Sequence, residues 1–329
     1  MKELLPLVRS YIKNSSIVLN NLRDILRPEG TLLISADAKS MYTNIDTHTG
    51  VSSIYNLITN NTDSIAPGFP TDLFLKMLSC IMENNIFTFA DTHWLQLSGT
   101  AMGTPAACAY ATISFGQHEN VNILPNFQPQ LLYYKRYIDN IFGIWVPPPR
   151  NNKLATWTWN AFKAALNSWG KLEWIIEEPS LKTTFLDLNI AIEGPCIVTS
   201  PFQKSMNLYL CIPPTSANLP CCFKGLITGE LRRYFIQNDK EGFEKILTKF
   251  INRLLDRGHS LNHISPLLHQ AAAHIDNRAN HDTSRDQKST LYLHWPFHPK
   301  GLQRQHLRQL YDSTLKDILP FEKMQVAIS

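Results

Sequence analysis

Asp37 closes the apolar run TLLISAD (31–37), and Asp139 follows the aromatic run LLYYKRYI and precedes IFGIWV. The first run reads as a buried strand whose C-terminal end emerges at the acid. The second pair of runs reads as a tight hairpin with Asp139-Asn140 at its tip, because both residue types tolerate turns. The two acids are 102 positions apart, and neighbouring strands of one sheet would bring them side by side. Such a pair suits the two-ion chemistry that joins nucleotides, in which cations about 3.5–4 Å apart activate a hydroxyl and hold a triphosphate. Magnesium keeps waters and phosphates as most of its ligands and takes one or two carboxylates from protein. Each acid alone reads as readily as a turn or helix-cap residue, so the weight falls on what surrounds them.

The elements that must position them alternate between helix and strand. Helices are expected up to about Leu26, over 51–59, over 71–84, from Pro105 to about His118 and over 156–169. In the third segment Leu73, Phe74, Met77, Leu78, Ile81 and Met82 form one apolar face. IFTFA and HWLQL, separated by Asp91-Thr92, read as a second hairpin. EWIIEE, TTFLDLNIAI, CIVTSPFQ and MNLYLCI each read as a strand. Further on, apolar residues from Phe243 to Leu255 recur at helical spacing and are closed by Gly258. Breaks fall at VPPPRNN (146–152), IPPTSANLP (212–220) and NRANHDTSRDQKS (277–289), the last reading as a mobile loop.

Composition excludes several classes. Hydrophobic residues are 44% and charged residues 18% of 329, which is a core-forming composition rather than a disordered one. No apolar run reaches membrane-spanning length and no secretory leader is evident, so an intracellular setting, nuclear or cytoplasmic, is expected. Cys80, Cys108 and Cys196 read as small core residues, and the six cysteines do not form a disulfide pattern. His259, His263, His269 and His274 cluster, as do His294 and His298, but a zinc site lacks a third ligand of clear spacing. Residues 1–150 carry 10 Lys/Arg against 11 Asp/Glu and residues 151–329 carry 21 against 16. The basic second half is compatible with a polyanionic partner.

Six stretches, in order, resemble motifs of the reverse transcriptases of Penelope-like retroelements. SADAKSMYTNID is similar to their motif A form D-x-x-S-L-Y-T-N-I, and QLSGTAMGTPAACAYATI to their motif B turn G-x-A-M-G-S-P and its helix. YKRYIDNIFGIW resembles motif C, R-Y-x-D-D, and TTFLDLNI the F-L-D-L-x-I strand. PFQKSMNLYLCIPPTSANLP and KGLITGELRRY resemble the block that follows, and the match runs from about Tyr11 to Phe297.

The resemblance implies an α+β fold: a right-hand polymerase palm, an antiparallel sheet with packed helices, followed by a mostly helical thumb, with the fingers largely missing. Its parts would be a residual fingers helix (1–30), the palm (31–212), and the thumb with a C-terminal extension (213–329). It implies RNA-directed DNA synthesis, with an RNA template, a DNA primer and deoxynucleoside triphosphates as partners and no membrane or protein partner. Two Mg2+ ions, for which Mn2+ can substitute, would be held by Asp37 and Asp139 with help from the Ala38 carbonyl. Tyr42 would lie under the incoming sugar and exclude a 2′-hydroxyl. Met102, Gly103 and Thr104 would floor the templating pair, Gly where backbone nears a ligand. Lys204 would lie near the primer, and Arg232, Arg233, Lys245, Lys249 and Arg253 would meet phosphates, although these residues read equally as a solvated helix face.

Three departures bear on activity. Motif C has Asn140 where the family has a second catalytic aspartate, which drops one charge beside the cations. Only 36 residues precede Asp37, so the basic fingers that clamp a triphosphate are expected upstream. Nothing after Phe297 resembles a GIY-YIG endonuclease. The alternative reading is therefore an inactive, truncated retroelement remnant that keeps the fold and at most binds nucleic acid.

Overall fold

A computed structural model describes residues 1–23, 25–148, 152–280, 290–293, 303–315 and 325–328. The chain forms two compact units, Met1–Ala271 and Ala272–Ser329. In chain order the first unit contains α1 (Ser15–Arg23), β1 (Leu32–Lys39), α2 (Met41–Asn44), α3 (Thr47–Thr59), α4 (Thr71–Glu83), β2 (Ile86–Phe89) and β3 (Thr92–Leu95). Then follow α5 (Ala107–His118), α6 (Leu124–Phe127), β4 (Leu131–Tyr137), β5 (Asn140–Trp145), α7 (Asn152–Leu166), β6 (Glu173–Ile176), β7 (Lys182–Phe185), β8 (Leu188–Glu193) and β9 (Cys196–Pro201). Helices α8 (Pro220–Gln237), α9 (Lys240–Asp256) and α10 (Leu261–Asn280) come next. In the second unit β10 (Thr290–Leu293) pairs in parallel with β11 (Gln325–Ile328), and α11 (Arg304–Thr314) buries Leu307 and Tyr311.

The central sheet has the order β4-β5-β1-β6 and is antiparallel throughout. Alternation along β1 sends neighbouring residues to opposite faces. Ile34, Ala36 and Ala38 enter one core with residues of α3, α5 and α7, whereas Leu33 enters a second core with α1, Phe142 and Ile144 of β5, and Phe185, Leu188 and Ile190. Each buried Leu, Ile or Phe in these layers contributes about 1.5–3 kcal/mol. The sheet thus carries helices on one face, and α1 with the β7-β8-β9 sheet on the other. No helix among the described residues is long and apolar enough to cross a membrane.

Several expectations need correction. TTFLDLNIAI is a hairpin rather than one strand: β7 ends at Phe185, and Leu186 (φ +55) begins a tight turn into β8. MNLYLCI (206–212) is irregular, with none of its seven residues in a strand; the alternating pattern found no partner strand. The first helix is split, a 3-10 turn at Lys2–Leu7 preceding α1. Cys80, Cys108 and Cys196 are exposed rather than core residues. Of the loop expected at 277–289, residues 277–280 belong to the end of α10, and residues 281–289, like His294 and His298, lie outside the described residues.

Candidate active site

Strands β1 and β5 run antiparallel, with Asp37 opposite Asn140. By alternation both belong to the sheet face that carries Leu33, Phe142 and Ile144, beyond the covered part of that face. The hairpin tip is Ile138-Asp139, one residue earlier than expected, and Asn140 is already in the ladder, opposite Tyr137. The same shift occurs in the β2-β3 hairpin, whose turn is Ala90-Asp91 (φ +47 and +61). In both cases the pairing register overrode the local preference of turn-forming residues.

The shift places Asp139 in the turn itself, next to the end of β1. Its carbonyl accepts the Ala38 amide at 2.8 Å, which makes this bond the last rung between the two elements. Asn140 Nδ2 donates to Asp139 Oδ1 at 3.0 Å. The Asp37 carboxyl opens to solvent, yet partial burial and, second, the Asp139 charge raise its pKa above the ordinary value. A divalent cation bound beside Asp37 would relieve the charge that opposes its ionisation. Among the described residues no three His, Cys, Asp or Glu side chains group as a metal cage. A cation held here would therefore bring other ligands with it, as magnesium with waters and phosphates does.

Tyr42 sits on the short α2 that follows β1, half-buried, with its hydroxyl 3.3 Å from Cys108 Sγ of α5. Burial and the Cys108 contact, with a smaller effect from the Asp139 charge, keep the phenol protonated far above its ordinary range. Tyr42 is anchored by a pair that sequence reasoning missed. The Tyr42 carbonyl accepts the amide of buried Thr100 at 2.5 Å. A Cβ on Gly99 (φ +78) would fall 2.7 Å from both the Tyr42 carbonyl oxygen and Thr43 Cα. Only glycine lets these two backbones meet. The signal was present, as the first glycine of GTAMG, but close approach was assigned to the second. Gly103 and Met102 are exposed, and a Cβ at Gly103 would meet nothing within 4 Å. Thr104 donates its hydroxyl to Asn85 Oδ1 at 3.1 Å.

The basic residues divide into two groups. Lys204, Arg232, Lys245 and Lys249 are exposed, Lys245 in an i,i+4 pair with Glu241. Arg233 and Arg253 are half-buried and engaged within the protein. Arg233 pairs with Glu230 and lies 5.2 Å from the Tyr234 ring centroid. Arg253 donates to Gln203 Oε1 at 2.8 Å and stacks 4.5 Å from the Tyr209 centroid, which ties α9 to the segment bearing Lys204. His259 stacks on Phe223 at 4.1 Å and its Nε2 lies 2.7 Å from the Ile212 carbonyl, so it behaves as a packed core histidine.

No protein-family profile matches the sequence, and no curated protein matches it. Solved structures do. Telomerase from Candida albicans, solved with the TWJ fragment of telomeric RNA, superimposes with a TM-score of 0.56 at 10% identity, covering 87% of this chain and 52% of that one. Apo telomerase from Candida tropicalis gives 0.48 at 11% identity, over 84% and 49% of the two chains. An RNA-dependent RNA polymerase of a human picobirnavirus gives 0.48 at 11%, over 82% and 51%. The chain thus spans about half the length of these structures. At such identities the likeness speaks for fold alone. That fold is a polymerase palm, an antiparallel sheet with packed helices, followed by a mostly helical thumb.

Proposed function

We propose that the chain is the polymerase domain of a reverse transcriptase of the Penelope-like kind, extending a DNA primer on an RNA template. The observation that carries this reading is the juxtaposition of Asp37 and Asp139 through the last rung of the β1-β5 pair. The motif order and a palm fold like that of a telomerase support it. In this reading Asp37 and Asp139 hold two Mg2+ ions, with the Ala38 carbonyl adjacent. The bound ions would activate the primer hydroxyl and neutralise the triphosphate. Tyr42, fixed by Gly99 and Thr100, presents its ring to the sugar and leaves no room for a 2′-hydroxyl. Met102, Gly103 and Thr104 offer an open surface against which a base pair can rest.

A second reading is favoured by one contact. Asn140 stands in place of a carboxylate and donates to Asp139 Oδ1, occupying part of the acceptor capacity that a cation would use. An inactive domain that binds nucleic acid would keep every other feature.

Primer extension by the full chain separates the two. We expect Mg2+-dependent extension of a DNA primer on RNA, lost in Asp139→Ala and raised in Asn140→Asp. Extension that persists unchanged in Asp139→Ala overturns the assignment of the metal ligands. No product from either the wild type or Asn140→Asp, with binding of an RNA–DNA hybrid retained, favours the second reading.

A further inference from the structure

A buried ionic cluster lies behind the hairpin tip. Arg136 and Glu119 are both 0% exposed and form a two-point pair, Nε to Oε1 and Nη2 to Oε2, each at 2.8 Å. Glu119 also accepts the hydroxyls of Tyr134 at 2.8 Å and Ser10 at 2.5 Å. It is presented by a π-turn, Glu119–Ile123, that joins α5 to α6. Such turns are rare and occur frequently at functional sites. Arg136 Nη2 donates in addition to the Thr112 carbonyl, and Nη1 to the Ile138 carbonyl, both at 2.7 Å. Phe115 closes the cluster, its centroid 5.2 Å from the guanidinium.

A fully buried ion pair is a poor source of stability, since apolar residues of like volume serve as well or better. The bond to Ile138 suggests another use. Ile138 is β-branched, yet it adopts φ +50 at the first turn position, where glycine is the favoured residue. Asp139 keeps a negative φ. The turn is therefore of the II′ kind, which differs from the I′ kind by a flip of the peptide between the two residues. Asp tolerates either, so Ile138-Asp139 alone does not select. The Ile138 carbonyl belongs to the peptide that would flip, and Arg136 holds it.

We propose that Arg136, clamped by Glu119, is a positioning residue for the candidate active site: it locks the Ile138-Asp139 peptide and so sets Asp139 against Asp37. The proposal rests on Asp37 and Asp139 being cation ligands, and it makes the ionic cluster part of the site's geometry rather than of its core.

The test follows the Ala38 amide, which stays bonded to the Asp139 carbonyl only while the turn is in place, and Mn2+ binding by electron paramagnetic resonance. Arg136→Met alone should lower Tm by leaving Glu119 unpaired. The double variant R136M/E119Q removes both charges and should recover most of that loss. In the refolded double variant we expect Ala38 exchange about tenfold faster and Mn2+ binding about tenfold weaker than in the wild type. Arg136→Lys keeps the charge without the fork, so it should fold and show the same two changes in smaller measure. Wild-type exchange at Ala38 in either folded variant overturns the proposal. Wild-type protein whose Mn2+ binding is unaffected by Asp37→Asn would instead refute the cation reading, and the exchange rates alone would then decide the positioning role.

Discussion

Asp37 and Asp139 approach one another from two elements that share a single terminal rung, the 2.8 Å bond from the Ala38 amide to the Asp139 carbonyl. The arrangement opposes ionisation of Asp37, whose carboxyl is raised by burial first and by the Asp139 charge second. An acid with a raised folded pKa contributes fully at pH below its unfolded value, and that contribution is lost as pH rises through the folded value.

Asp37→Asn should therefore melt above the wild type at neutral pH in chelator, and the difference should disappear near pH 4, around the ordinary carboxylate value. Because the carboxyl is open to solvent, the gain should be at most about 1 kcal/mol. Added Mg2+ should reverse the order, raising the Tm of the wild type by mass action and leaving the variant unmoved. Calorimetry at both pH values, with and without Mg2+, reads all of this. Identical response of the two proteins to Mg2+ would remove the pair as a cation site.

Gly99→Ala should be far more disruptive than Gly103→Ala, although both glycines lie in one motif. At Gly99 the new methyl meets Tyr42 and Thr43 backbone at 2.7 Å, at φ +78. Strain of this kind costs about 1–3 kcal/mol. At Gly103 the methyl meets nothing within 4 Å, so stability should stay within about 0.5 kcal/mol of the wild type. Chemical denaturation compares them. If polymerase activity is present, Gly99→Ala should also weaken discrimination against ribonucleotides, by displacing Tyr42. Equal stability losses at the two positions would show that the Gly99 contact does not constrain the fold.

Much of the frame was legible because period and burial agree. β1, α3, α4 and α9 emerge from apolar repeats that long-range packing had no reason to override. The pairing of Asp37 with the hairpin was legible too, since an acid ending an apolar strand and an acid beside a turn are local signals. What escaped was set by non-local register. Both hairpin tips moved by one residue onto pairs containing Ile138 or Ala90, poor turn formers that the ladders nonetheless place at positive φ. TTFLDLNIAI hid a turn at Leu186-Asp187 for the same reason. The Glu119–Arg136 pair left only a faint trace, a lone acid at the end of an apolar helix and a lone arginine in an aromatic strand. Their meeting across 17 residues depends on a π-turn that no periodicity announces.

The basic residues that follow the palm should separate by what each already touches. Arg232 and Lys249 are exposed, so if they meet phosphates, Arg232→Ala and Lys249→Ala should each lower the salt slope for binding an RNA–DNA hybrid by about 1. Their effect on stability should be small. Arg253 is different, because its guanidinium is spent on Gln203 and the Tyr209 ring. Arg253→Ala should lower stability by about 1–2 kcal/mol, the sum of a stacked cation and a hydrogen bond, and leave the salt slope unchanged. Titrations of a fluorescent hybrid over a range of salt, paired with denaturant melts, distinguish the two classes. A slope change in Arg253→Ala with no loss of stability would mean that its guanidinium leaves Tyr209 to meet the nucleic acid, and the division between bracing and contacting residues would fall.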